Sequence, residues 1–207
     1  MDDARARDAG RLALAIGVVA AGSAVCLATY FVVRGPFGTI NDLGNATTGV
    51  LSAALAWRLR RRTSSRAGDV AVGAASVGAA FTVIGTALVV SDTTGFLLGG
   101  LVSTVGFAGI GAWLLAVNRR EAAGAWSPRL RALGGAAGAL MAVGVLTSPG
   151  ILLRLDDLET APAWIWIGFF GWLGTYVAYP AWALWMGIAE ARPATPARSA
   201  PAGTAVE

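Results

Sequence analysis

RLALAIGVVAAGSAVCLATYFVVR, residues 11–34, holds no charged residue between its two terminal arginines. A helix needs about 20 mostly apolar residues to cross the hydrocarbon core of a bilayer. This run is long enough and leaves both guanidinium groups at its ends. Five further runs have similar length. FGTINDLGNATTGVLSAALAW, residues 37–57, is the least apolar and ends in the cluster RLRRR. The others are DVAVGAASVGAAFTVIGTALVVSD (69–92), GFLLGGLVSTVGFAGIGAWLLAVNRR (95–120), LRALGGAAGALMAVGVLTSPGILLR (130–154) and APAWIWIGFFGWLGTYVAYPAWALWMGIAE (161–190). Continuous runs of this length do not suit the short alternating strands of a membrane barrel, the other structure that satisfies every backbone group in lipid.

The expected fold is therefore all-α: a polytopic transmembrane helical bundle of about six spans, over 11–33, 38–57, 69–90, 95–117, 131–153 and 162–188, forming a single domain, 1–190. The segment 191–207, rich in Pro, Ala and Thr, is expected to be a disordered cytoplasmic tail.

Composition agrees. Hydrophobic residues make up 56% of the 207 and charged residues 14%, against about 25% in a soluble domain. The mean hydropathy is +0.63. All the basic residues are arginine, and there is no His. Their placement fixes an orientation, because Arg collects in cytoplasmic loops. With the N-terminus inside, every arginine except Arg34 and Arg154 falls on the inner side, while Asp42, Asp92, Asp156, Asp157 and Glu159 collect on the outer one. Both ends are then cytoplasmic. The inner arginines also attract anionic lipid heads, so membrane lipids are expected partners. A nucleic acid is not expected, since the arginines cap apolar runs instead of forming a patch. The first run exceeds the 7–15 apolar residues of a secretory signal, and Val25 before Cys26 does not suit a lipoprotein signal, so cleavage is not expected.

Missing residue types exclude much chemistry. Without His there is no haem ligation by histidine, no His-based zinc site and no Ser–His dyad. Without Lys there is no retinal-type Schiff base. The single Cys26 cannot form an internal disulfide. The acids Asp69, Glu121 and Glu190 stand on separate elements, which does not suit a metal-dependent lipid transferase. No metal, no cofactor and no enzymatic activity are expected.

The second run is the exception in polarity. Asn41, Asn45, Thr48 and Ser52 recur at spacings of four, three and four, on one helical face, with Asp42 beside them near the outer end. Polar groups in lipid face the bundle interior or a water-filled cleft. One reading is a small hydrophilic vestibule in which Asp42 binds a cation or proton and pairs with Arg34. The other is structural: Thr39 and Asp42 form a capping box, and the Asn and Thr side chains join neighbouring helices.

The sixth run is aromatic. Trp164 and Trp166 near the outer boundary, and Trp182 and Trp185 near the inner one, are expected to anchor the helix at the interfaces. Trp172, Tyr176 and Tyr179 turn onto a shared side, lining a pocket or packing. Pro180 should kink the helix. Gly168, Gly171 and Gly174, the Gly134–Gly138 pair, and Gly99, Gly100, Gly106, Gly109 and Gly111 provide helix contact surfaces, inside the bundle or in a homo-oligomer.

Two functional expectations follow. The first is transport or channelling of a small solute or ion, motivated by the polar stripe. The alternative is a non-catalytic membrane subunit or scaffold that associates with another membrane protein, motivated by the lack of any reactive constellation. The wealth of Ala, Gly and Arg without Lys suggests a bacterial plasma membrane as the location.

Overall fold

The structure, a computed structural model, describes residues 3–60, 66–120 and 126–191. The expected tail lies outside these residues beyond Ala191, as do Arg61, Arg62, Arg192 and Arg198. Every regular element among the described residues is helical. Four helices are unbroken: α1 (Asp3–Val33), α2 (Phe37–Leu59), α3 (Arg66–Val90) and α4 (Phe96–Arg120). Next, α5 (Pro128–Val143) continues through a 3₁₀ turn, Gly144–Thr147, into α6 (Ser148–Leu152). The last run is segmented: a 3₁₀ turn, Ala163–Ile167, then α7 (Gly168–Leu173), a π turn, Gly174–Ala178, and α8 (Tyr179–Ala191).

Four helical stretches are long and apolar enough to cross a membrane by length and composition: Ala6–Val33, Arg66–Val90, Phe96–Arg119 and Pro128–Leu152. The α2 helix is not among them, because its first half is polar. The last run, which the π turn interrupts, is not among them either.

Consecutive helices pack as antiparallel neighbours, and α8 returns to α1, so the elements close into a ring. One end of the bundle carries the turns at residues 34–36, 91–95 and 153–162, here called the loop end. The other, the terminal end, carries Asp3, Ala191, the ends of α2 and α4 and the starts of α3 and α5. Small residues set the helix spacing. A Cβ on Gly78 would strike the Gly106 carbonyl oxygen, and one on Gly111 would meet that of Gly138. The Gly168, Gly171 and Gly174 row seats against Thr147, Gly144 and Met141. These glycine faces thus meet neighbours within the chain. Close approach by small residues supplies the dispersion contacts that hold helices together where burial from water cannot.

The loop end is tightly finished. Arg34, Asp92 and Arg154 all take the left-handed conformation, with φ of 65°, 54° and 51°, and terminate α1, α3 and α6. After α3, the Thr93 amide donates to the Leu88 carbonyl and Asp92 to Val89; after α6, Leu155 donates to Gly150 and Arg154 to Ile151. Both are Schellman closures built without glycine. Asp156 then reaches across to the start of α4, accepting from the Gly95 amide at 2.5 Å and the Leu98 amide at 3.1 Å. A carboxylate there satisfies free amides and complements the helix dipole.

The terminal end holds the aromatic core. Trp182 lies edge-on to Trp113 (6.2 Å) and Trp126 (5.9 Å) and stacks on Tyr179 (5.9 Å). Trp182 is fully buried, which corrects its expected place as a boundary anchor: it faces the bundle, where an indole buries the most apolar area. Trp164, Trp166 and Trp185 remain exposed. Asp8 bridges α1 to Arg58 on α2 at 3.6 Å, and Arg60 pairs with Asp69 at 2.7 Å.

Candidate functional site

The α2 helix turns Asn41, Asn45, Thr48 and Ser52 into the bundle, all buried. Three of the four meet side chains of other elements. Ser23 of α1 donates from Oγ to the Asn41 carbonyl oxygen at 2.8 Å and lies 3.1 Å from Asn41 Oδ1 and 3.3 Å from Asn45 Oδ1. The Asn45 Nδ2 donates to the Tyr176 hydroxyl at 2.9 Å. The Ser52 and Tyr179 hydroxyls are 2.7 Å apart, and Ser52 also donates to the Thr48 carbonyl at 2.6 Å. Thr86 of α3 donates to the Asp42 carbonyl at 2.7 Å. Four elements are thereby tied to one polar stripe. The Thr48 hydroxyl is buried without a partner.

The π turn makes the last of these ties geometrically available. A π turn inserts one residue into the α register. The Tyr179 amide accordingly bonds back to the Gly174 carbonyl, five residues away. Across this turn Tyr176 and Tyr179 both reach α2, while Val177 points outward. Pro180 follows directly. It has no amide to give to the preceding turn, so the register change sits where the helical ladder is already interrupted.

Asp42 is 8% exposed. Among the described residues, the one hydrogen bond that its carboxylate receives is a long one, 3.4 Å, from Asn41 Nδ2. Among the described residues no arginine pairs with it. Arg34 does not do so: it leaves the bundle in its left-handed turn and lies over the Tyr30 ring, 5.5 Å from guanidinium to centroid. The expected Arg34–Asp42 pair is therefore absent, because the turn directs Arg34 away from the helix that follows. The expected capping box is absent too. The α2 helix begins at Phe37 with Pro36 as its cap and without a side-chain bond, so Asp42 lies in the second turn, past the free amides.

Asp42, Asn41 and Asn45 border a cavity of about 20 Å³, room for one or two waters. Opposite them stand Ser103 and Thr104 of α4, together with Thr175 and Tyr176. Trp172, Phe96 and Phe107 complete the wall. Across Trp172 lies a second, more apolar cavity of about 30 Å³ toward the loop end, which Trp172 and Thr104 also border. The Trp172 indole nitrogen donates to the Thr104 hydroxyl at 3.3 Å, and both residues border both spaces. Among the described residues, no three His, Cys, Asp or Glu side chains converge as a metal set.

The sequence reading did not include Ser23, Thr86, Ser103, Thr104 or Thr175 in the site. A signal for part of this set was present. Thr82 and Thr86 are four residues apart, with Gly78 and Gly85 on the same face, the same periodicity that singled out the α2 stripe. Neither family models, nor curated proteins, nor solved structures give a match to this chain.

Proposed function

We propose that this chain is a six-span membrane protein with both termini in the cytoplasm, and that it moves a proton or small cation through the Asp42 cavity. The observation that carries this reading is the charge imbalance at Asp42: a largely buried carboxylate with one long neutral donor and, among the described residues, no basic partner. An unpaired ion taken out of water costs several kcal/mol. A proton or a cation at the carboxylate removes that cost, and hydroxyl and amide oxygens stand beside it to complete a ligand set. Intramembrane ionisable groups of this kind mark ion pathways and proton relays. Shuttling between the balanced and the unbalanced state is the elementary step of carrying charge.

The six-span count rests on length and packing. The 23 residues of α2 rise about 34 Å at 1.5 Å each, enough to cross a core about 30 Å thick. The segmented last run packs into the same ring. The inner side would be the terminal end, where the arginines cluster, and the loop end, with Asp156 and Asp157, would face out.

The test is flux. Purified protein in vesicles with an imposed pH or sodium gradient should dissipate that gradient, followed by a dye inside the lumen. Asp42→Asn keeps the shape and should reduce flux to the level of empty vesicles. Flux unchanged by Asp42→Asn would sink the proposal.

A further inference from the structure

We infer that the ion of the Asp42 cavity is sodium, held without its water shell by the Asp42 carboxylate together with the hydroxyls of Ser103 and Thr175. This rests on the reading of Asp42 as the charge-carrying group and names the ion that it carries.

Three groups on the cavity wall, from three different elements, are short of partners. The Asp42 carboxylate of α2 receives its one long hydrogen bond from a neutral amide. Ser103 on α4 and Thr175 in the π turn are 8% and 4% exposed. Neither hydroxyl makes a hydrogen bond among the described residues. Buried hydroxyls are normally bonded. Elsewhere in this bundle Ser52, Thr104 and Thr147 give theirs to a carbonyl of the preceding turn. Ser103 and Thr175 do not, and both border the same space as Asp42. Tyr176 adds a further oxygen to that wall.

The choice of occupant follows from charge and ligand type. Water would bond the two hydroxyls but leave the carboxylate charge unmatched, in a space whose other walls include Phe96, Phe107 and Trp172. A proton would cancel the charge, yet it engages one acceptor and leaves the hydroxyl oxygens idle. A small hard cation does both, since it draws its ligands from oxygen. One carboxylate matches one positive charge, whereas a divalent ion would leave an excess charge buried. A cavity of about 20 Å³ has no room for an ion with its hydration shell, so the wall oxygens must replace that shell. A carboxylate is a ligand of high field strength, which favours sodium over the larger potassium ion.

The experiment is equilibrium binding of radioactive sodium to the purified full-length chain in detergent, at constant ionic strength, with unlabelled sodium, potassium and choline as competitors. Sodium should bind saturably. Potassium should compete about tenfold more weakly than sodium, and choline should not compete. Asp42→Asn should abolish binding. Ser103→Ala and Thr175→Val, which keep the carboxylate, should each weaken it about fivefold. Potassium competing as well as sodium, or sodium binding unchanged by Asp42→Asn, overturns the inference. If Asp42→Asn does not fold, the hydroxyl variants decide: binding unchanged in both overturns the inference. Absence of sodium binding, alongside proton flux that depends on Asp42, overturns this inference alone and leaves the flux proposal standing.

Discussion

At the scale of single residues, Thr48 and Ser52 show how far a pattern reaches. Both belong to one stripe and to one helical face, and both are buried. Ser52 is bonded to Tyr179 and to the Thr48 carbonyl, whereas the Thr48 hydroxyl has no partner. Their substitutions should therefore diverge. Ser52→Ala leaves the sealed Tyr179 hydroxyl without its partner and should cost about 1–3 kcal/mol. Thr48→Val removes an unsatisfied hydroxyl at nearly constant volume and should be neutral or stabilising. Thermal unfolding of the two variants in detergent checks this; a Thr48→Val loss as large as that of Ser52→Ala would contradict it. The spacing of four, three and four places residues on a face, but a partner 127 positions away leaves no local trace. Asp42 is a second case. Its polarity in an apolar run was legible; the divergence of Arg34 was not, because it depends on a left-handed turn at a residue that is not glycine.

Among the elements, glycine positions that look alike in sequence separate by what lies opposite them. On α3, a Cβ at Gly78 would run into the Gly106 carbonyl oxygen, backbone that cannot yield, whereas one at Gly73 would meet nothing. Gly78→Ala should cost about 1–3 kcal/mol by overpacking. Gly73→Ala, on the exposed face of the same helix, should gain up to about 1 kcal/mol from helix propensity. A melting temperature that moves the same way for both would show that α3 and α4 are not in contact through this face. The helical character of α1, α3, α4 and the stretch Pro128–Leu152 was legible, since about 20 or more mostly apolar residues dictate it; the break of that stretch after Val143 was not. The segmentation of the last run was legible only as a kink at Pro180. The shared side of Tyr176 and Tyr179 was legible from their spacing; their partners on α2 were not, because those lie 131 and 127 positions away.

For the molecule as a whole, the arginine distribution and the packing bear on one question from different sides. Gly10 of α1 lies against Gly187 and Glu190 at the other end of the chain, so both ends belong to the same face of the bundle. Reporters fused at the two termini should therefore appear on the same side of the membrane, the cytoplasmic one; reporters on opposite sides would refute the six-span arrangement. The closure of α8 onto α1 also has a consequence for biosynthesis. The α2 helix is made well before Tyr176 and Tyr179, whose hydroxyls meet Asn45 and Ser52. On the proposed six-span reading, the stripe would face lipid until those residues arrive, with the Asn45 amide donor unmet, a costly interim. Stable insertion of α2 would then wait on Tyr176 and Tyr179, and a nascent chain halted before Tyr176 would hold α2 loosely, open to extraction.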